Sequence, residues 1–481
     1  MVKKRTISKL FLYRHRYVIG YTLLALAFLG TLILLPFITP NGLSEAEMQS
    51  AITSHDASIS SISAGEVVDL PYHFLQKISI HFLGLTPYAL KLPSIIIGFF
   101  LGLLLVLLLN RWFKNNVAII ASILTVLSSS FLYLAGSGTP LIMTVFWPTL
   151  LLWLGSKIQG VDRPSPLYCF IFAFVLLLSI FTPYMLYLAI FILVYVLIHP
   201  HLRFTVKSLP KIPLILVAII VLGGCTLLGI ILTKHYLALK DLLFMEDFSL
   251  DHFTANLSAA FTPFFSWSGV VESTFLAPLV GLASLALAIT GLISTAKGFF
   301  ASRNSIASYL IVFTVLISGF NPDCAVLLIL PLAILIAHGI RYILEKWYGL
   351  FPANPYARVF ALFPISIFLG IMIISDIGHF VFGYRYNPAV ADNFINDLTL
   401  ISRHLTEDTT LLIPAGTLEY DFYSILEQHH GPRVRSSLSD VLDGTDIASL
   451  GKWTESPNLT IRRIITSSKS SNSDRIYLYA K

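Results

Sequence analysis

The sequence predicts an all-α polytopic membrane protein of about eleven transmembrane helices with a small extracytoplasmic C-terminal α/β domain, and three observations carry that expectation. First, 56% of the 481 residues are hydrophobic and only 12% are charged. The apolar surface therefore exceeds what one globular core can bury, and lipid must cover the rest. Second, the excess is gathered in long uncharged runs such as 17–38 and 212–233, each close to the roughly 20 residues that carry a helix across a bilayer. Third, lysine and arginine alternate between connections in the way that cytoplasmic retention of basic residues requires.

Breaking the hydropathy pattern at charged and Pro/Gly-rich interruptions places spans at 17–38, 89–109, 116–135, 140–156, 166–181, 184–199, 212–233, 274–294, 305–319, 324–342 and 359–378. The first run is too long, and too poorly followed by small residues, for a cleaved leader, so it is expected to stay as an anchor. The hairpins 166–199 and 305–342 have only Thr182-Pro183 and Asn321-Pro322 as turn signals. With this topology the cytoplasmic segments hold Lys3, Lys4, Arg5, Arg14, Arg16, Arg203, Lys207, Lys211, Arg341 and Lys346 among others, while the opposite short loops hold only Lys77, Lys91, Lys234 and Lys240. The N-terminus is then cytoplasmic, the odd count puts the C-terminus outside, and the plasma (inner) membrane is the expected location. The formal charge of +6 reads as a topology signal and a contact with anionic membrane lipids, not as a nucleic-acid surface. Cys169, Cys225 and Cys324 fall in or beside apolar runs and predict no disulfide framework.

The membrane part is expected over 1–382, with long outer loops at 39–88 and 235–272, and the extracytoplasmic domain over 383–481. In that tail the pattern predicts a helix over 387–405, a buried strand over 410–414, a helix over 418–429 and strands near 459–466 and 475–479. The serine-rich stretch 467–473 is expected to be a loop.

Chemistry is expected outside, first in the loop that follows the first span. There Ser44 and Glu47 fit the S-x-x-E capping box, and Leu43 and Met48 the hydrophobic staple, so a helix starts just beyond the bilayer. Glu45 and Glu47 serve either as helix-start residues favoured by the dipole or as a general base at the lipid–water boundary. The box claims Glu47 and leaves Glu45, at N1, free to face a cavity. Further along, Tyr72, Gln76 and Ser79 share one helical face and Phe74, Ile78 and Phe82 another, as in a helix lying in the interface plane. His73, Lys77 and His81 have i, i+4, i+8 spacing, but the basic flank of an interfacial helix accounts for them, so no metal site is predicted. No cofactor is required by the sequence, and a divalent cation is left open. Asp56, Tyr72, His73, Gln76, Thr139, Asp247 and Asp323 are the candidate acceptor or cavity residues. Asp323 also suits an Asn-Pro-Asp turn, and the aromatics that follow Asp247 (Phe261, Phe264, Phe265, Trp267) suit interface anchoring. Asn256-Leu257-Ser258 matches a glycosylation acceptor pattern too short to carry weight.

The order of these features resembles the GT-C fold glycosyltransferases, which include the protein O-mannosyltransferases and the aminoarabinose transferases of lipid A. Gly84-Leu85-Thr86-Pro87-Tyr88-Ala89-Leu90-Lys91-Leu92-Pro93-Ser94 is similar to their Gly-x-Thr/Ser-x-x-Ala-x-Arg-Leu-Pro-Ser segment, with Lys91 in place of Arg. Arg111-Trp112-Phe113 resembles their cytoplasmic Arg-x-Phe, and Ser129 to Tyr133 their Ser-Pro-Phe-x-Leu-Tyr stretch. The family's Asp-Glu motif reads Ser44-Glu45-Ala46-Glu47 here, and Gly136 to Pro140 lacks the acid common after the third span. The resemblance implies a GT-C-like fold and inverting transfer of a sugar from a polyprenyl-phosphate donor to an extracytoplasmic acceptor (protein, lipid or cell-wall glycan). Glu45 or Glu47 would be the base. Lys91, Lys234 and His235 are the outer cations best placed for the donor phosphate, with snorkelling at helix ends as the other reading of the two lysines. A lipid or polysaccharide translocator and a catalytically inactive GT-C-like scaffold are the competing classes. Transport calls for ionisable groups buried mid-span or paired broken helices, whereas charges in this sequence gather at span ends and in loops.

Overall fold

The computed structural model describes residues 15–38, 42–58, 67–159, 166–243, 249–265, 278, 280–296, 301–350, 355–387, 390, 393–429, 431–441, 446–453, 459–466 and 475–480. Helix α1 is Arg16–Ile38, α2 Glu45–Asp56, α3 Leu70–Leu83, α4 Pro87–Trp112, α5 Asn115–Val126, α6 Ser129–Gly136, α7 Met143–Gln159 and α8 Pro166–Ser179. They are followed by α9 Met185–Ile198, α10 Pro200–Ser208, α11 Lys211–Lys234, α12 Tyr236–Leu243, α13 Leu250–Phe265, α14 Leu282–Ala296, α15 Ser302–Ser318, α16 Ile329–Leu350 and α17 Pro355–Tyr386.

Among the described residues six helices are long and apolar enough to cross a bilayer: 18–37, 87–112, 140–158, 214–234, 322–350 and 363–386. Two bent pairs pass the same test together, α5 with α6 at 65° and α9 with α10 at 90°, and α8, α14 and residues 303–318 are shorter apolar helices. The chain is an integral membrane protein. Its last span differs from the expected one, because α17 stays helical to Tyr386 where hydropathy ends the run at 378. Asp376 and His379 lower the local hydropathy, but Asp376 is turned into the protein, so the helix continues past it. Within the bundle α14 and α16 touch backbone to backbone: a Cβ on Gly291 would lie 1.9 Å from Leu335 O, and one on Gly339 2.1 Å from Leu287 O, the small-residue contact that favours helix pairing in lipid.

Helix α3 has its polar face inward. Tyr72, His73, Gln76 and Ser79 are buried, while Leu75, Ile78, Phe82 and Leu83 are exposed. That inversion of the soluble pattern is what a helix covered by lipid requires. Its neighbour α4 starts on the quoted Gly-Leu-Thr-Pro sequence, with Thr86 accepting from Ala89 N and Pro87 at the first helical position, where a missing N–H costs nothing.

The tail adds α18 (Asp397–His404), α19 (Leu418–Glu427) and strands β1 Thr409–Leu412, β2 Arg433–Arg435, β3 Asp446–Ser449, β4 Thr460–Thr466 and β5 Arg475–Ala480. They form one sheet of order β2-β1-β3-β5-β4, with β1 parallel to β2 and β3, and β5 antiparallel to β3 and β4. Within the helix expected over 387–405, Asp397–His404 is helical, as is Val390, while 388, 389, 391 and 392 lie outside the described residues. Residues 467–473, expected as a loop, lie outside the described residues. Leu43, Met48, Ala51 and Ile80 share a hydrophobic core with Ile401, Ile413, Phe422 and Leu426. Leu43 and Ile395 exchange backbone hydrogen bonds of 2.9 and 2.8 Å, so the first loop and the tail are packed as one body.

Candidate functional site

The capping box of α2 is formed. Ser44, in extended backbone, accepts from Glu47 N through Oγ at 3.3 Å and donates its own N–H to Glu47 Oε2 at 2.9 Å. The second carboxylate oxygen, Oε1, accepts from Gly138 N at 2.6 Å and stands 3.7 Å from Lys91 Nζ. Lys91 also donates to Gly42 O at 2.9 Å. Both side chains of the pair are 1% exposed, and removing one partner from such a pair typically costs about 3–5 kcal/mol. Gly42 takes φ +127°, and a Cβ there would lie 2.7 Å from Ile395 O, so only glycine lets the strand-like contact with the tail and the Lys91 hydrogen bond coexist.

Beneath this pair lies Gln76, with all four hydrogen-bonding positions used. Its Nε2 donates to Leu90 O and Gly138 O, each at 2.9 Å, and its Oε1 accepts from Ser50 Oγ at 2.8 Å and Ser54 Oγ at 2.6 Å. One side chain thereby ties α2, α3, α4 and the connection after α6. Ser54 Oγ also lies 2.8 Å from His73 Nδ1, and burial holds the His73 ring down at about 4, so it is neutral at physiological pH. Tyr72 shares a 2.8 Å hydrogen bond with Ser94 Oγ, and burial pushes its phenol up. Lys77 caps the far end of α2 by donating to His55 O at 2.8 Å and Ala57 O at 2.5 Å, a cation on helix-terminal carbonyls.

The fold thus gathers Glu47, Lys91, Tyr72, His73, Gln76 and the half-buried Thr139, whose hydroxyl lies 3.2 Å from Ser137 Oγ. It leaves Glu45 exposed with Ala46 and Gln49 on the opposite side of α2, and Asp56 exposed at its last position. Lys234 is exposed at the end of α11, His235 follows it half-buried, and Asp323 is exposed at the start of the 3₁₀ helix Pro322–Leu328. Among the described residues no hydrogen bond or ion pair joins Lys234 or Asp323 to the Glu47 cluster. Asp247 lies outside the described residues. The amide of Asn256 donates to Gly319 O and Phe320 O, which fixes α13 on the neighbouring turn. All three cysteines are free. Among the described residues no three His, Cys, Asp or Glu side chains are grouped to hold a metal ion.

Sequence reasoning passed over Asp69. It precedes α3 in left-handed backbone at φ 50° and is buried, with Oδ1 lacking a partner. Its N–H donates to Phe181 O at 2.8 Å, in the turn between α8 and α9. Burial pushes its carboxyl up to about 7 against a hydrogen bond from Thr182. A single acid between apolar residues, just before Leu-Pro, was the available signal.

No protein-family model matches the chain, and no curated protein sequence matches it significantly. Solved structures do. ArnT from Cupriavidus metallidurans in the apo state superposes with a TM-score of 0.53 at 12% identity over 96% of this chain and 98% of ArnT. The oligosaccharyltransferase AglB from Archaeoglobus fulgidus, in complex with an inhibitory peptide and a dolichol-phosphate, superposes with a TM-score of 0.52 at 12% identity over 89% of this chain. The chain spans 65% of AglB's length. Both are GT-C proteins, and this chain has the fold of the GT-C membrane glycosyltransferases.

Proposed function

We propose that the protein is a glycosyltransferase that moves a sugar, with inversion, from a polyprenyl-phosphate-linked donor to an acceptor across the membrane from the cytoplasm. The reading rests on the likeness of fold over 96% of the chain and on AglB having been seen with a dolichol-phosphate and a peptide. The observation that carries the mechanism is the contrast within one helical turn: Glu45 is exposed, whereas Glu47 is sealed. Glu45 then takes the proton of the acceptor hydroxyl or amine as its oxygen or nitrogen attacks the anomeric carbon. The bond from that carbon to the phosphate oxygen breaks, and the lipid phosphate leaves with the electron pair. Cations steady the charge that develops there. Lys234 and His235 keep that role in this proposal, while Lys91 serves to hold Glu47 and the Gly42 carbonyl.

The six long helices, the two bent pairs and the three shorter helices are then one span each, which gives eleven. The N-terminus is cytoplasmic, the C-terminus lies outside, and the membrane is the plasma (inner) membrane. The membrane domain then runs to the end of α17 at Tyr386, a few residues past the expected 382, and the tail beyond it forms an outer α/β domain that helps choose the acceptor. Mass spectrometry of lipid retained by the purified protein tests the donor class. Polyprenyl phosphate or its glycoside is the expected finding, and retention of bulk phospholipid alone, with no transfer from a polyprenyl-phosphate sugar, would refute it.

One observation favours a translocator instead. Asp376 is buried within α17 and the third apolar segment is broken between α5 and α6, the two features that transport calls for. Movement of a fluorescent polyprenyl-phosphate lipid across reconstituted vesicles, without sugar transfer, would establish that reading over the first.

A further inference from the structure

Two non-glycine residues among those described take left-handed backbone, Asp69 at φ 50° and Tyr184 at φ 54°. Each stands just before a helix, α3 or α9, and neither caps it with its side chain. Both belong to one contact. Asp69 donates its N–H to Phe181 O at 2.8 Å, and its carboxyl takes a hydrogen bond from Thr182. Trp147 of α7 has an indole N–H that can only donate, and it reaches Thr182 Oγ1 at 3.1 Å, which leaves the hydroxyl hydrogen for Asp69. Tyr184 donates its N–H to Leu242 O at 3.2 Å, and Tyr187 its hydroxyl to Leu243 O at 2.8 Å. The turn between α8 and α9 is thus held by the first outer loop and itself holds the end of α12.

Packing closes the same circuit. Val67 is buried in a cluster with Leu232 of α11 and Ala238 and Leu242 of α12, and Phe181 packs against it. Lys234 and His235 lie between Leu232 and Ala238 in the chain, so the corner that carries both cations is seated on the segment that ends at Asp69. The contact is costly for packing alone. Left-handed backbone at a non-glycine residue is strained, and such strain persists where the surroundings fix a geometry that function needs. Asp69 is also buried with Oδ1 lacking a partner, a desolvation cost that an apolar side chain there would not carry.

We propose that Asp69 is a positioning residue, which ties the first outer loop to the α8–α9 turn and so fixes the α11–α12 corner, with Lys234 and His235, relative to Glu45. It acts through the corner and not on the reacting atoms. The inference rests on the phosphate role given to those two cations in the proposed reaction. Cations held in place before the donor arrives spare binding the cost of ordering them, so a loosened junction lowers affinity for the lipid phosphate.

Hydrogen exchange and lipid binding by the full chain in phosphatidylcholine nanodiscs test it. Asp69→Gly removes the carboxyl and leaves a residue at home in left-handed backbone. Thr182→Val removes the carboxyl's partner, and Asp69→Asn keeps an oxygen that accepts from Thr182. Amide exchange over 236–243 is expected to be severalfold faster in Asp69→Gly and Thr182→Val and unchanged in Asp69→Asn. Exchange in β1 and β3 of the tail should stay as in the wild type, which a general loss of stability would not spare. Affinity for a polyprenyl phosphate should fall about tenfold in the first two variants, the worth of one hydrogen bond, and be retained in Asp69→Asn. Should Asp69→Gly fail to fold, Thr182→Val carries the comparison. Equal exchange over 236–243 in all the variants, or equal affinity in variants and a wild type that does bind, would overturn the proposal. A wild type that binds no polyprenyl phosphate counts against the proposed reaction instead, and the exchange result alone then decides the junction.

Discussion

Around Glu47 each carboxylate oxygen has a donor, and Gln76 uses all four of its hydrogen-bonding positions. Elsewhere in the bundle, the buried hydroxyls of Ser122 on α5 and Ser284 on α14 have no hydrogen-bond partner. Both groups are buried, so the low dielectric that strengthens the first makes the second costly. The contrast separates two uses of polar residues in one membrane protein. A complete network fixes geometry and holds α2 against the tail; an unpartnered buried hydroxyl carries its desolvation cost with no bond to offset it.

The sharpest way to break this contrast is to unbalance the complete network. Lys91→Met should leave Glu47 buried without its cation and destabilise the fold by about 3–5 kcal/mol. In thermal unfolding, the double variant Lys91→Met/Glu47→Gln should recover much of that loss. Equal unfolding temperatures for wild type and Lys91→Met would mean that the pair holds nothing.

Asp69 gives the next largest effect and runs the other way. Its folded carboxyl value of about 7 lies above the ordinary 3.8, so its neutral form is the one the fold prefers. Stability is therefore greatest below the unfolded value, declines as pH rises through the interval up to about 7, and stays reduced above it. Asp69→Asn should abolish that decline and stabilise the protein at alkaline pH by on the order of 2–4 kcal/mol, since each pKa unit is worth about 1.36 kcal/mol. Unfolding temperature against pH, compared between the two proteins, reads this directly; parallel curves would exclude it. The smallest effect is at the cap, where Ser44→Ala removes the acceptor for Glu47 N and should cost about 1 kcal/mol, seen as a modest drop in unfolding temperature.

How much of this was written in the sequence depends on distance along the chain. Ser44 and Glu47 are three residues apart, so the capping box could be read and was formed. The two faces of α3 were likewise legible from spacing, and the exposed apolar face needed only the knowledge that lipid is the solvent. The partnership of Glu47 with Lys91 and Gly138, and the role of Gln76 as a tie between four segments, depend on how separate helices meet, and no local pattern encodes that. Strands β2 and β3 have three and four residues, too few to show alternation. The last span was expected to end at 378, short of Tyr386, because a hydropathy window averages Asp376 and His379 with their neighbours and cannot tell an inward side chain from an exposed one. The break at Ser128 had a signal in its run of serines, which the apolar surroundings outweighed.

The division of labour between Glu45 and Glu47, two residues apart on α2, is the centre of the account, and turnover with a polyprenyl-phosphate sugar in Glu45→Gln and Glu47→Gln, each paired with its unfolding temperature, tests it most directly. Glu45→Gln should lose sugar transfer while unfolding at the wild-type temperature, and Glu47→Gln should unfold earlier. Full turnover in Glu45→Gln would contradict the account.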